Sequence, residues 1–256
     1  MTSGFGQGFS SGNFGLLGGF DAGFTRPPAS TEVVTIGLVL QYDIGNPTSY
    51  PGSGATVTDL AGNSNATLYN GPTYSSGNLT FDGSNDVLIT NTSLSAQVTT
   101  DITSISMWAY PMDNGVLLSE VGTSALPNAA GWHDAQMEMV AGTMKFGMWD
   151  GVGISSITST VATPLNSWYH FTIVYDGTTL RAYVNGTAAG TNTFSRLNPN
   201  EGAAGIYYAI AATDITNMGD GTYANMRLGQ FLVYSTALSA AQVLQNFNAT
   251  RSTYGV

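Results

Sequence analysis

Residues Ser167–Thr187 read SWYHFTIVYDGTTLRAYVNGT, and the expected fold is built outward from them. Tyr169, Phe171, Ile173 and Tyr175 alternate with His170, Thr172 and Val174. That period of two, in aromatic and β-branched residues, is the signature of a strand. Asp176-Gly177 then marks a turn, because Gly accepts positive φ and Asp tolerates the left-handed region. Leu180–Val184 forms a second strand, closed by the hairpin signal Asn185-Gly186.

The same signals recur on both sides. Ile36–Tyr42 reads as a first strand, followed by the loop formers Asn46-Pro47, Pro51-Gly52 and Gly62-Asn63. Leu79–Phe81 and Val87–Thr90 are strands joined by DGSND, and Ile102–Tyr110 is another, while residues 113–134 read as loop. Gln136–Val140 and Met144–Trp149 form a hairpin over Ala141-Gly142-Thr143. Ile206–Ala211 and Met226–Tyr234 are the last strands. Ser239 with Gln242 three residues on is a capping box for a short helix, whose apolar stripe is Leu238, Val243, Leu244 and Phe247. Such a helix is expected on an edge or end of the β structure. Many short strands with turns between them and one helix predict an all-β sandwich or jelly roll of two antiparallel sheets.

Composition narrows the function. Charged residues are 9% of the 256-residue chain, far below the roughly 25% usual for soluble domains. A net charge of −10 with six Lys and Arg excludes nucleic acid and anionic membranes as partners. With no cysteine there are no disulfides and no thiolate metal sites. The start lacks a basic segment followed by an apolar one, so no secretory signal is expected. Residues 1–24 hold Phe5, Phe9, Phe14, Phe20 and Phe24 between eight glycines, at a spacing that suits neither helix nor strand. Aromatics on flexible spacers predict an arm that anchors the protein in grooves of a neighbour. The expected organisation is therefore an arm at 1–24, a Pro-containing linker at 25–35 and one domain at 36–256.

The run W-Y-H-F followed by Y-D-G-T-x-L-x-x-Y-V-N-G resembles the central hairpin of laminin-G-like domains of the concanavalin A-like lectin/glucanase superfamily. GLVLQYDIGNPTSYPGSG (37–54) with DLAGNSN (59–65), LTFDGSNDVLI (79–89) and LGQFLVYSTALSAAQVLQNFNATRSTYG (228–255) resemble the same pattern in order. The opening YDIGNPTSYPGSG and the ending LSAAQVLQNFNATRSTYG are similar to those of tailed-phage virion structural proteins. This resemblance implies a concanavalin A-like jelly roll on a capsid or tail surface, made in the host cytoplasm, with other virion proteins or further copies of itself as partners. The alternatives it leaves are a module that binds host surface glycan and a glycoside hydrolase.

The resemblance also frames the candidate sites. Glucanases of this superfamily carry an E-x-D-x-x-E pair of carboxylates, one attacking and one protonating the leaving group. Glu32, Glu120, Glu138 and Glu201 have no acidic partner at that spacing, and Asp134 and Glu138 would share a strand face four residues apart. No catalytic residue is therefore assigned, and a non-enzymatic role is expected. His170 is expected to serve as a strand residue bonded to a neighbouring loop. No cofactor is required. The resemblance suggests calcium, with Asp59, Asn63, Asp82 and Asp86 as oxygen ligands, although Asp and Asn also serve as plain turn formers. Trp132 and His133, and Trp149 and Asp150, lie in or beside loops and are the candidate glycan platform, with capping of the core as the plainer role for the two tryptophans. Trp108 and Trp168 fall in strand patterns and are expected in the core.

Overall fold

A computed structural model describes Met1 and residues 32–126, 133–195, 205–212 and 223–256. Residues 2–31, which carry the five arm phenylalanines, lie outside the described residues.

The alternating runs become sixteen strands among the described residues. In chain order they are β1 (Leu38–Asp43), β2 (Thr56–Val57), β3 (Ala66–Tyr69), β4 (Thr73–Ser75), β5 (Asn78–Asp82), β6 (Val87–Thr90), β7 (Thr103–Pro111) and β8 (Gly115–Val121). They continue with β9 (His133–Val140), β10 (Thr143–Trp149), β11 (Ile154–Thr158), β12 (Tyr169–Tyr175), β13 (Thr179–Val184), β14 (Thr187–Thr193), β15 (Tyr207–Ile210) and β16 (Asn225–Tyr234). A helix, α1 (Ala240–Thr250), and a 3-10 turn (Arg251–Tyr254) follow. Two antiparallel eight-stranded sheets result. The first runs β14-β13-β12-β7-β16-β5-β4, with β1 also on β16, and the second runs β11-β10-β9-β8-β15-β6-β3-β2.

The 167–187 hairpin lies where its pattern predicts. β12 pairs with β13, and Tyr169, Phe171, Ile173 and Tyr175 enter the core between the sheets. There Phe171 meets Phe146 of the facing sheet edge-on at 6.0 Å. The other face of β12 is buried too, since every one of its residues is. Its alternation runs between two buried layers rather than between core and water.

The second layer comes from α1, which does not sit on an edge or end. Val243 packs with Val174, Tyr183, Leu232 and Tyr234 on the outer face of the first sheet. Those outward residues are apolar, and a sheet apolar on both faces must be covered on both. The capping box forms as expected: Ser239 Oγ accepts from Gln242 N, and Gln242 Oε1 accepts from Ser239 N. The stripe is narrower than expected, for Leu244 is 39% exposed. Asn246 is buried instead: its Oδ1 accepts from Val34 N at 2.8 Å and its Nδ2 donates to Tyr234 Oη at 3.0 Å.

The loop expected over residues 113–134 is a misreading, because it contains β8. The run Gly115–Val121 lacks alternation because a register shift against β9 sends both Leu117 and Leu118 into the central core, while Val121 is buried on the other face in an apolar layer with Ile89, Ala209 and Tyr223. Bulges erase the period on which sequence reading depends.

Candidate functional site

His170, Trp108 and α1 define the covered part of the first sheet. The His170 ring lies 5.2 Å from Trp108 and 6.2 Å from Phe247 of α1. Its backbone N–H donates to Asn185 Oδ1 at 2.8 Å, which ties it to the neighbouring hairpin turn. Burial holds its pKa down at about 3, so the ring is neutral. Thr172 Oγ1 stands 3.5 Å from His170 Nδ1 and 2.6 Å from Ser106 Oγ. This polar string is sealed beneath α1 and serves the fold.

Trp149 closes β10 opposite Ile154 of β11, and both are partly exposed, at 44% and 43%. Val152 at the hairpin tip is 93% exposed. Asp150 organises that tip: Oδ1 accepts from Val152 N and Gly153 N, and Oδ2 accepts from Ser155 Oγ at 2.6 Å. These bonds, the hydroxyl's foremost, lower its pKa. Asp150 thus holds the turn and Trp149 supplies the surface. His133 opens β9 opposite Val121, while its side chain and all of Trp132 lie outside what is described.

The structure does not bring the four calcium candidates together. Asp59 accepts from Gln41 N and Ala61 N on Oδ1, and from Asn63 N and Ser64 N on Oδ2. Four backbone donors occupy that carboxylate, which knits its loop to β1. Asn63 donates to Val39 O. Asp82 Oδ1 accepts from Ser84 N and Asp86 Oδ2 accepts from Asp82 N, which organises the DGSND turn. Burial raises the pKa of Asp86. Asp59 precedes the Ala66↔Thr90 end of the β3–β6 ladder and Asp86 precedes the Tyr69↔Val87 end, about 10 Å apart along the strands. Among the described residues no group of three or more His, Asp or Glu side chains converges on a point.

Sequence spacing also missed the carboxylates that do meet. Glu120 of β8 faces Asp134 of β9 in direct cross-strand register, with both side chains 2% exposed. Glu120 lies opposite Tyr208, a member of the central core, so this pair points between the sheets. Gln136 Nε2 donates to Glu120 Oε2 at 2.9 Å, and Asp134 Oδ2 accepts from Trp149 N at 3.1 Å. Asp134 and Glu138 do not share a face. The ladder moves from Met137 to Ala135 across one residue of β8, leaving Gln136 as the extra residue. Glu138, between the core residues Met137 and Met139, therefore points outward. No signal in the sequence marks that bulge.

Trp108 is fully buried as expected, whereas Trp168 lies one residue ahead of β12 and is half-buried on the outer face. Among the described residues no helix is long and apolar enough to cross a membrane.

Residues 81–244, more than half of the chain, match the laminin-G-type family described as concanavalin A-like lectin/glucanases superfamily. No curated protein matches the sequence. Solved structures share the fold at low identity. The Trypanosoma rangeli sialidase in complex with sialic acid is 13% identical with a TM-score of 0.62, over 86% of this chain and 34% of that one. The binding domain of botulinum neurotoxin DC in complex with SialylT is 14% identical with a TM-score of 0.60, over 83% of this chain and 51% of that one. The binding domain of Paraclostridial Mosquitocidal Protein 1 is 18% identical with a TM-score of 0.58, over 83% and 52%. The chain thus spans about a third of the sialidase and about half of the toxin domains.

Proposed function

The chain belongs to the concanavalin A-like lectin/glucanases superfamily, and from that premise we propose that it is a non-enzymatic structural protein of a tailed-phage particle, displaying a lectin-like sandwich at the virion surface. Other virion proteins are its partners, reached through the N-terminal arm. The observation that carries this reading is the joint where the linker meets the domain. Val34 is buried, its N–H is held by Asn246 of α1, and Gln245 Nε2 donates to Glu32 O. The opening and closing segments, whose wording is similar to virion proteins, are thereby one unit: β1 pairs with β16, and α1 lies over both. A pull on the arm would pass through α1 into the centre of the first sheet.

The non-enzymatic part rests on the carboxylates. Glu120 and Asp134 are the described acidic pair in direct register, and they face the interior, out of reach of a polysaccharide. The test is quantitative mass spectrometry of purified particles together with an assay on β-glucan, alginate and peptidoglycan. A fixed copy number per particle and no hydrolysis are expected. Absence from particles, or turnover abolished by Glu138→Gln, would contradict the reading. A second reading, adhesion to host surface glycan, is favoured by the half-exposed Trp149 beside Val152 and Ile154.

A further inference from the structure

Three of the eight exposed large hydrophobic residues among those described, Trp149, Val152 and Ile154, belong to the β10–β11 hairpin. Phe146 and Met148 of β10 enter the core, so Trp149 points out from the second sheet, with its register partner Ile154 beside it. Ile154 folds over Gly147, where a Cβ would lie 2.6 Å from its Cγ2, so the ring and the branched chain form one apolar platform. Val152 stands at the tip. Asp150 N donates to Gly153 O at 3.0 Å, and the Asp150 carboxylate accepts from Val152 N, Gly153 N and Ser155 Oγ. A turn held by four bonds presents its apolar residues already in place, so little freedom is lost when they meet a partner.

The chain itself carries a segment whose chemistry fits that platform. Residues 2–20 hold Phe5, Phe9, Phe14, Leu16, Leu17 and Phe20 and no charged side chain. Copies with a net charge of −10 repel one another, so a contact between them calls for uncharged surface on both sides. The carboxylate beside the platform, Asp150, is occupied by its own turn. The place where the arm leaves the domain matters too. Glu32 O is held by Gln245 of α1, on the outer face of the first sheet, whereas Trp149 lies on the outer face of the second. A sheet spacing of about 10 Å and a helix layer of about 8–10 Å separate the two faces. Pro27-Pro28, just ahead of Glu32, favours an extended linker that leads away from the domain. A donor on one face and an acceptor on the opposite face make a head-to-tail contact.

We propose that residues 2–20 of one copy dock on the Trp149–Val152–Ile154 platform of the next, so that copies of the chain assemble head to tail. The proposal rests on the reading of residues 1–24 as an anchor, and it names the receptor of that anchor. The phenylalanines supply aromatic groups that bury against Trp149 and Ile154, and the glycines between them let successive rings turn toward the platform. Each copy offers one arm and one platform, so repetition of the contact closes a ring or extends a filament.

Sedimentation of the full chain over a range of concentrations tests this, first for the wild type and then for two complementary variants. The wild type is expected to assemble. Trp149→Ser removes the platform, and the combined Phe5→Ser, Phe9→Ser and Phe14→Ser changes remove the anchors. Each variant should assemble about ten-fold or more weakly, with an unchanged melting curve. Mixed together, the two should pair one to one and stop there, because a single working arm and a single working platform remain. Val152→Asp, at the most exposed platform position, replaces Trp149→Ser if that change alters the melting curve. A wild type that stays monomeric overturns the proposal, and so does a mixture that fails to pair. Loss in the phenylalanine variant alone overturns the platform as receptor while the anchor reading stands. Loss in the platform variant alone means that two platforms meet face to face. Glycan captured through Trp149, with assembly untouched by Trp149→Ser, makes the platform an adhesion site. Both of these last results overturn the proposal.

Discussion

Under α1, the outward residues of the first sheet are Val174, Tyr183, Leu232 and Tyr234, closed off by Leu238 and Val243. Toward the start of β16 and the end of β7, the outward residues of the same sheet are Arg227, which is exposed, and Tyr110, which is half-buried. One sheet face thus carries two surfaces, and the difference between them is the presence of one helix. Where α1 lies, the face becomes a second core and contributes stability. Where α1 and the 3-10 turn stop, at Trp168 and Tyr254, the face stays uncovered. The helix is consequently the divide between the two surfaces, and it also holds Val34 through Asn246.

The sharpest way to break that comparison is to truncate one residue on each side. Phe247→Ala removes the ring that α1 sets on Trp108 at 5.8 Å, and should cost about 3–5 kcal/mol in denaturant unfolding. Arg227→Ala, on the open half, should stay within roughly 0.5 kcal/mol. Equal losses would mean that the helix is not the divide.

Mild acid should act on the covered half through His170. His170 has a folded pKa of about 3 against 6.5 for a free histidine. Its contribution is therefore complete above about pH 6.5 and is lost as pH falls toward 3, at about 1.4 kcal/mol per unit. Between pH 6.5 and about 4.5 the wild type should lose roughly 2–3 kcal/mol more than His170→Phe. Parallel pH profiles would show that the imidazole is not sealed by α1.

Smaller effects sharpen the picture at the latch. Asn246→Ala leaves Val34 N–H and Tyr234 Oη without their partner inside the second core, and should cost about 1–3 kcal/mol. Ser239→Ala removes the cap of α1 and should cost about 1 kcal/mol, read from the same unfolding curves. A cap effect larger than the latch effect would shift the weight from α1's contacts to its intrinsic formation.

The sequence made some of this legible and hid the rest for physical reasons. The β12–β13 hairpin and the capping box are local: alternation, Asp-Gly, Asn-Gly and Ser-x-x-Gln each act within a few residues. The place of α1 was not legible, because an apolar stripe does not say which surface it will cover, and Asn246 looked like a polar residue outside that stripe. Arg227 and Tyr110 stand far apart in sequence, and β16 shifts register between Leu228 and Gln230, so no spacing pointed to their pairing. The same holds for Glu120 and Asp134, joined across a bulge. Asp59 was visible as a loop acid, yet its four backbone partners come from the path of the loop, which residue type alone does not reveal.

The most direct test of the central claim, an arm that anchors the particle through a latch on α1, compares two truncations for melting temperature and for incorporation into particles. Deleting residues 1–31 should leave the melting temperature nearly unchanged and abolish incorporation. Deleting residues 1–35 should also lower the melting temperature, because it removes buried Val34 and its bond to Asn246. Full incorporation of the shorter truncation would contradict the account.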